Sequence, residues 1–431
     1  MCVIINILRK EVFIVVLRRV EKHIVSRQNR WFRILRDKCF LAKNVYNHGN
    51  YLIRQEFFNS GKYLGYSNVE KLMHDDVEFP DYWNLGLANS SQQIIRSLDK
   101  NWKSFFKSIK DWAKHKDKYL GMPKPPKYLK KDGLKDFALT YAQIHVSDGC
   151  VEFPKSISDD YGNRMKIHVC FPDKPEFKKF QMCRVIPRND RMILEFVYTV
   201  DIEVNKLENQ NIAAIDLGLD NFVTMVNNIG EKPVIINGKG LKSCNQYYNK
   251  KIAELKSKLD TQYNDKRYSH KLYSITNKRN DKIDYFMHKA ANFIVSYCKQ
   301  HNISTLVVGK SDGWKQEINI GKVNNQNFVQ IPYLSLISKL TYKCEQSGIS
   351  LILTEESYTS GTSFLDNEQP TKELYNKLRR IKRGLFKSNS GKLINADVNA
   401  AYQIMKKVFC DAEMPADRGF VMNPLCYTIK F

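Results

Sequence analysis

The order of apolar segments in the second half of the chain most constrains its fold. Short strands are predicted at NIAAIDLGLD, NFVTMV and PVIINGK, and later at ISTLVVGK and GISLILTEES. NADVNAAYQIMKK is predicted to form a closing helix. Two long helices are predicted after the third strand, from apolar residues at helical spacing: Tyr248, Ile252, Leu255 and Leu259, then Phe286, Ala290, Phe293 and Tyr297. Three strands, helix, strand, helix, strand, helix is the order of an RNase H-like α/β fold.

The first half of the chain has a different pattern. Residues 29–120 read as helical, and Ser90 is predicted to cap the second long helix of that region. GMPKPPKYLKKDG, at 121–133, is a connector rich in proline, glycine and lysine. From about 137 to 202 the pattern turns to short β-strands with turn signals, which suggests a small antiparallel barrel or sandwich.

The charge balance indicates a polyanionic partner. The 431 residues include 69 Lys and Arg and 45 Asp and Glu, a formal net charge of +24. A nucleic acid duplex presents a phosphate about every 1.7 Å along its axis, so it suits such a chain. Composition alone leaves an anionic membrane surface as the alternative, but it argues against a typical small-molecule enzyme.

Two further classes are disfavoured. The sequence contains no run of 18 uncharged apolar residues, so no membrane span is predicted. Its 10 cysteines are scattered without a Cys-x-x-Cys pair, which argues against a disulfide scaffold and against an all-cysteine zinc site.

Acidic side chains stand at the ends of three elements that an RNase H-like fold brings together. Asp216 ends the first strand, Glu355 and Glu356 end the fifth, and Asp397 opens the last helix. Two magnesium ions about 3.5–4 Å apart need several carboxylate oxygens to hold them. Such a pair activates a water and stabilises the leaving oxygen in phosphodiester hydrolysis. Taken singly, each acid also has a structural explanation, as a turn former, a solvated strand end or a favourable charge at a helix N-terminus.

Several separate motifs resemble the TnpB proteins of insertion sequences and their eukaryotic and viral relatives, the Fanzor proteins. They are SLDKNWKSFF, IDLGLDNFVT, NNQNFVQIPY, EESYTS, SFLD and RGLFKSNSGKLINADVNAAYQI, in family order from about residue 30 to the end. The resemblance implies an RNA-guided DNA endonuclease with a RuvC-like nuclease domain, related more distantly to type V CRISPR effectors. Its expected partners are an element-encoded guide RNA (ωRNA) and a double-stranded DNA target, recognised beside a short motif.

The resemblance also implies an α+β multidomain architecture, in which a helical recognition domain is inserted into a wedge β-barrel. The predicted divisions are 1–28 as an N-terminal strand of the barrel, 29–120 as the recognition domain, 121–205 as the barrel and 206–431 as the nuclease domain.

The middle acid departs from a common family pattern. Many TnpB proteins carry a Glu after the fourth strand, where this chain has Gly309 in LVVGK. Some lineages and the Fanzors carry it after the next strand, shortly before Thr-Ser, and Glu356 before Thr359 fits that alternative. Adjacent strands lie only about 4.8 Å apart, so a neighbouring strand can supply the acid. We favour Glu356 over Glu355, with Asp216, Glu356 and Asp397 as the catalytic residues that hold two Mg²⁺ ions.

The second departure concerns zinc. The family often carries a zinc ribbon before the last Asp, but residues 357–391 contain no cysteine. A closed zinc site needs four ligands, so we predict no zinc in this degenerate ribbon-like insertion. Packing of Phe364, Leu365 and Phe386 is expected to hold its path.

Nucleic-acid contacts are predicted from residue type and from the resemblance. The helix matching SSQQIIRSLDKNW faces the target-adjacent motif in the family, and amide and guanidinium groups can read base edges. A solvated helix face and, for the tryptophan, core packing are the alternatives. The candidate residues are Gln92, Gln93, Arg96, Lys103, Trp314 and Lys315.

Three functions follow. The first is the magnesium-dependent, RNA-guided endonuclease; the others are a nuclease-dead, RNA-guided repressor, favoured by Gly309, and a DDE-type transposase. We expect an intracellular location, in the cytoplasm or nucleoid of a prokaryote or in the nucleus for a eukaryotic or viral protein.

Overall fold

A computed structural model of the chain describes residues 12–205, 207, 209–262, 269–310, 330–410 and 419–431. By its internal contacts the chain divides into two compact units, one of Val16–Ile202 and one built mainly of Glu203–Phe431. No helix in the described ranges is long and apolar enough to cross a membrane.

The first unit begins with strand β1 (Val12–Ser26) and continues as helices α1 (Trp31–Ser60), α2 (Tyr66–Asp75), α3 (Asp81–Asn84) and α4 (Ala88–Lys114). The helices predicted over 29–120 are present, and they have buried apolar faces. Leu35 and Cys39 on α1 and Leu98 on α4 are fully buried. The predicted cap at Ser90 is wrong, because α4 begins at Ala88 and Ser90 lies inside it, donating its hydroxyl to the Ala138 carbonyl at 2.6 Å.

The strands of this unit form two sheets. The short strands are β2 (Phe137–Thr140), β3 (His145–Ser147), β4 (Cys150–Glu152) and β5 (Lys166–His168), and the long ones are β6 (Phe177–Arg188) and β7 (Arg191–Asn205). One sheet has the order β1-β7-β6-β2 and the other β3-β4-β5. The β2–β6, β6–β7, β3–β4 and β4–β5 pairs are antiparallel. The strand-rich pattern between 137 and 202 therefore corresponds to strands of two sheets, paired antiparallel.

The second unit contains a mixed sheet with helices on both faces. Its strands are β8 (Ile212–Leu217), β9 (Asn221–Asn227), β10 (Val234–Asn237), β11 (Thr305–Gly309), β12 (Ser350–Thr354), the hairpin β13 (Leu385–Lys387) and β14 (Leu393–Asn395), and β15 (Leu425–Tyr427). Its helices are α5 (Lys239–Gln262), α6 (His270–Gln300), α7 (Tyr333–Gln346) and α8 (Ala396–Val408).

The six-stranded sheet has the order β12-β11-β8-β9-β10-β15. Strand β8 pairs antiparallel with β9, and β9 with β10, whereas β11 is parallel to both β8 and β12. The five strands and the helices predicted from the sequence are all present. Strand β15, which pairs with β10, was not predicted.

Alternation along β8 divides the core into two layers. Ala213, Ile215 and Leu217 pack with the buried residues of α6 and α7. Ile212 and Ala214 point to the other face, where they pack with Tyr402 and Ile404 of α8. Because successive side chains of a strand point to opposite faces, Asp216 shares the α8 face with Ile212 and Ala214.

The cysteine-free segment 357–391 is held by packing and by a polar network. Phe364 and Phe386 are buried, and Leu365 packs against the same cluster. Sequence analysis missed the network around Glu368. That carboxylate pairs with Arg379 and accepts from the Ser363 amide at 2.8 Å and the Asn389 side chain at 3.0 Å.

Candidate active site

The face of β8 that packs on α8 positions the first acid. Asp216 is the fifth residue of an otherwise apolar strand, next to the last position before the Gly218 turn. Its pairing with Thr224 of β9 fixes the backbone on one side. The carboxyl group therefore stands at the end of the buried strand, on the side from which α8 begins.

The start of α8 positions the second acid. Asn395 caps the helix, since its side-chain oxygen accepts from the Asp397 and Val398 amides at 2.9 and 3.2 Å. One oxygen of Asp397 then accepts from the Asn221 amide group at 2.7 Å, and the other faces Arg380 at 3.6 Å. Asp397 is thus fixed by the cap, by β9 and by the segment before β13.

The two candidate glutamates after β12 are in different environments. The Glu355 side chain is 63% exposed and lies 3.5 Å from the Lys407 ammonium group. Glu356 is half-buried, and its backbone carbonyl accepts from the Thr359 hydroxyl at 2.8 Å. Of the two, it is Glu356 that faces the pocket of Asp216.

Gly309 explains how Glu356 gains access to that pocket. Strand β11 places Gly309 beside Thr354 of β12. A Cβ atom at 309 would lie 3.1 Å from Oε2 of Glu356 and 2.6 Å from Cδ1 of Ile404. The Glu356 carboxylate therefore lies against the space that a side chain on β11 would fill.

The charges of the other two acids act on Asp216. Burial, and then the carboxylates of Asp397 and Glu356, raise the pKa of Asp216 well above its usual value, while Arg380 opposes the shift. Burial and the charges of Asp216 and Glu356 likewise raise the pKa of Tyr333. The Tyr333 hydroxyl donates to the Gly218 carbonyl at 2.8 Å, which anchors the turn after Asp216.

The chemistry of these donors suits a divalent cation. Carboxylate oxygens are the ligands that Mg²⁺ prefers, and a cation would offset both the burial and the repulsion that raise the pKa of Asp216. In the described part of the chain, no group of three or more His, Cys, Asp or Glu side chains is arranged to hold a metal ion. The residues therefore fit magnesium in donor type, and side-chain adjustment would be needed to bind it.

Sequence reasoning missed several partners of the acids. Asn221 and Arg380 contact Asp397 directly. Lys242 and Arg383 both pair with Asp220, four residues after Asp216. The basic run KLRRIKRG just before β13 could have indicated Arg380 and Arg383 as partners. So many cations shortly before a predicted catalytic acid suggest that they pair with acids or with phosphate.

The predicted nucleic-acid residues of α4 divide into two groups. Gln93, Arg96 and Lys103 line an open cavity of about 820 Å³ together with Lys100. Gln92 does not line it; its side chain is half-buried and donates to Glu70 at 3.4 Å.

Inside that cavity two of the cations have protein partners. The Arg96 guanidinium lies 4.2 Å from the centre of the Tyr66 ring. Lys103 pairs with Asp99 at 2.7 Å. Although burial alone would raise it, hydrogen bonds from Lys103 and Tyr63 hold the pKa of Asp99 below its usual value. The other two predicted contacts, Trp314 and Lys315, lie outside the described residues.

Comparisons with known proteins find similarity to transposon-associated OrfB/TnpB-like proteins and to Cas12f1-like proteins. The OrfB_IS605 family model, described as a probable transposase, matches residues 195–315, and the TNB domain model of Cas12f1-like proteins matches residues 333–404. A TnpB-like protein, ORF457 of Acidianus two-tailed virus, is 22% identical over 404 residues, which cover 87% of this chain and 83% of the viral protein. The predicted resemblance to TnpB proteins is confirmed.

A solved structure extends the likeness to the fold. A Cas12f1 protein, determined by cryo-EM in complex with an sgRNA and target DNA, superimposes with a TM-score of 0.53 at 18% identity. The match covers 87% of this chain and 82% of the Cas12f1 chain. The α+β fold with a mixed sheet is therefore shared with Cas12f1.

Proposed function

We propose that this TnpB-like protein is an RNA-guided DNA endonuclease whose nuclease centre consists of Asp216, Glu356 and Asp397. The observation that carries the proposal is the effect of Asp397 and Glu356 on Asp216, because a fold gains no stability from holding three carboxylates together. Such groups of acids occur where a cation or a reacting phosphate compensates them.

The sheet order supports an RNase H-like nuclease domain over 206–431. Strands β8, β9 and β10 are antiparallel, β11 and β12 continue the sheet parallel to β8, and α8 packs on the face that Asp216 shares, in the element order predicted from the sequence. In this proposal the helices of 29–120 form the recognition domain, and β1 with the sheets of 121–205 forms the wedge barrel.

The residues of the chain have distinct roles in this proposal. Asp216, Glu356 and Asp397 would hold two magnesium ions. Bound magnesium would supply positive charge to the scissile phosphate and favour ionisation of the attacking water. Asn221 keeps Asp397 oriented through its 2.7 Å hydrogen bond, and Arg380 lies close enough to the same carboxylate to contact a phosphate oxygen.

Guide RNA and target DNA are the proposed partners. The net charge of +24 suits both, and the Cas12f1 protein of similar fold was solved with an sgRNA and target DNA. Base pairing would read the target sequence, while the protein reads a short flanking motif and the shape of the duplex. Such a protein acts inside cells, in the cytoplasm or nucleoid of a prokaryote or in the nucleus of a eukaryotic host.

Gly309 gave reason to consider a nuclease-dead repressor. The missing acid on β11 does not favour that function here, because the Glu356 carboxylate borders the space next to Gly309. In this proposal Glu356, which follows the neighbouring strand β12, replaces the acid that is missing from β11.

The test is cleavage by the protein purified together with the RNA that it retains. With magnesium and a DNA target that matches the variable end of this RNA, we expect double-strand cleavage. Intact target at saturating binding would contradict the endonuclease and support the repressor, whereas joined strands would indicate a transposase.

A further inference from the structure

A second cavity in the unit of Glu203–Phe431 has no role in the proposed nuclease centre. It lies between α5 and α6, beneath the ring of Phe431, and has a volume of about 530 Å³. That volume is within the usual range for sites that bind small molecules, about 300–1,000 Å³. The question is which chemistry its walls select.

The α6 wall is cationic. Lys278, Arg279 and Lys282 line it, and the described lining includes no Asp or Glu. Lys278 and Lys282 are exposed and lie one helical turn apart. This arrangement favours an anion with at least one exposed oxygen.

Among the described residues, Arg279 adds positive charge without a carboxylate as hydrogen-bond partner. Its guanidinium donates to Asn245 Oδ1 at 2.8 and 2.9 Å, to Asn280 Oδ1 at 3.0 Å and to the Gln330 carbonyl at 2.9 Å. All of these acceptors are neutral. A half-buried cation with neutral partners keeps its field in the cavity, because little solvent screens it.

The α5 wall is aromatic. Tyr247 is 62% exposed, and Tyr248, beside it, lies 5.5 Å from the Arg279 guanidinium. The Phe431 ring packs against Phe286 at 5.7 Å and sits so close to Gly240 that a Cβ there would lie 2.9 Å from it. Tyr247 thus presents most of its ring to solvent, Phe431 is 46% exposed although it packs on Phe286, and Tyr248 is half-buried.

We propose that this cavity binds one unpaired nucleotide of a single-stranded nucleic acid. Its base stacks on Tyr247, and its phosphate is contacted by Lys278 and Lys282. Every base has a flat face, so stacking with flanking cations binds single strands without reading sequence. An acidic peptide would use the cations but would leave the exposed ring without a partner. The site goes beyond the proposed cleavage chemistry, and binding there does not require the three acids.

The experiment uses the full chain, stripped of nucleic acid, and a short single-stranded oligonucleotide that contains 2-aminopurine, in RNA and DNA forms. Tyr247→Ala should weaken binding by about tenfold and remove part of the fluorescence quenching that stacking causes. Tyr247→Phe should retain both. The matched control is Tyr285→Ala, an exposed tyrosine of α6 that does not line the cavity, and it should behave like wild type.

A second variant does not depend on the ring. Lys278→Ala combined with Lys282→Ala should reduce the slope of log K against log salt by about 1.4, since each single-strand phosphate contact contributes about 0.7. Replacement of Lys289, an exposed lysine of α6 away from the cavity, by alanine is the control. Cys244 lines the cavity, so bound oligonucleotide should also slow its alkylation, as followed by peptide mass mapping.

The outcomes are distinct. Tighter binding of RNA or of DNA identifies the source of the nucleotide, and either result supports the site. Equal affinities of Tyr247→Ala and wild type would overturn it, as would an acidic peptide that displaces the oligonucleotide as well as unlabelled oligonucleotide does. The Tyr247 and lysine variants leave Asp216, Glu356 and Asp397 unchanged and are read out by binding, so a failed cleavage test leaves this result interpretable.

Discussion

The carboxylate pocket and the cavity along α4 concentrate charge in opposite ways. In the pocket formed by Asp216, Glu356 and Asp397, burial and then repulsion by the other two carboxylates raise the pKa of Asp216. Along α4, exposed cations such as Lys100 face an open cavity with solvent on one side. Metal binding in the pocket depends on each of the three carboxylates, whereas several side chains contribute to binding in the cavity. We therefore expect large effects of single substitutions in the pocket and small ones in the cavity.

The largest expected effect is that of Asp216→Asn. Several kcal/mol of transition-state stabilisation should be lost, so cleavage should fall by about 10³-fold or more while target binding is retained. Single-turnover cleavage and a filter-binding assay measure the two quantities. A variant that cleaves at a rate within tenfold of wild type would contradict the expectation that single substitutions have larger effects in the pocket than in the α4 cavity.

The same variant tests the raised pKa of Asp216, which burial and then the neighbouring carboxylates cause, without any activity assay. The pKa of Asp216 is raised in the folded state, so its contribution to stability is present at low pH and is lost as pH rises through the folded pKa. Because Asn mimics the protonated form, Asp216→Asn should melt above wild type at pH 8 in a chelator. The difference should shrink toward pH 4, and a difference that grows toward acid would contradict this account.

The next effect concerns Gly309→Ala. The new methyl group would lie 2.6 Å from Ile404 Cδ1 and 3.1 Å from Glu356 Oε2, so either side chain has to move. Overpacking of this kind costs about 1–3 kcal/mol. Cleavage should fall by about 10- to 100-fold if the displaced group is the carboxylate. Gly121→Ala, where the added atom would meet nothing within 4 Å, is the matched control.

Much of the carboxylate pocket could be predicted because it depends on local rules. Asp216 lies one residue before the end of an apolar strand, and Asp397 stands in the first turn of a helix whose apolar residues pack on the sheet. The choice of Glu356 over Glu355 depends on how the chain leaves β12, which alternation alone does not define. The proximity of Gly309 to Glu356 is a tertiary contact between β11 and the segment that follows β12. No local pattern in the sequence predicts such a contact.

The α4 region was less predictable. Ser90 looked like a helix cap because it precedes the apolar run, but the helix starts earlier and its hydroxyl bonds to β2 instead. Gln92 and Gln93 are adjacent and identical, yet only Gln93 lines the cavity. Which residue of the pair faces solvent depends on the packing of α2, where Glu70 accepts from Gln92.

The different positions of Gln92 and Gln93 allow a test of the α4 cavity, with a smaller expected effect than in the carboxylate pocket. Gln93→Ala and Arg96→Ala should each weaken target binding by about tenfold and relax preference for the flanking motif, since one base contact is worth about 1–3 kcal/mol. Gln92→Ala should change target affinity by less than about twofold. Binding measured across a library of flanking sequences checks both, and an equal effect of the two glutamines would refute the division.

The smallest effect is expected for Lys100→Ala. A single exposed phosphate contact should lower affinity equally for all target sequences and reduce the salt slope by about 0.9 on duplex DNA. A titration of target affinity against salt measures it. A change in the preference for the flanking motif would show that Lys100, like Gln93, contacts bases, and would contradict its assignment to phosphate contact.

The most direct test of the central claim compares Glu356→Gln with Glu355→Gln. Both remove one charge at adjacent positions after β12, but only Glu356 faces Asp216, whereas Glu355 is 63% exposed beside Lys407. With the retained RNA, magnesium and matched DNA, we predict that Glu356→Gln loses cleavage by about 10³-fold and Glu355→Gln keeps the wild-type rate. Wild-type cleavage by Glu356→Gln would contradict the proposed nuclease centre.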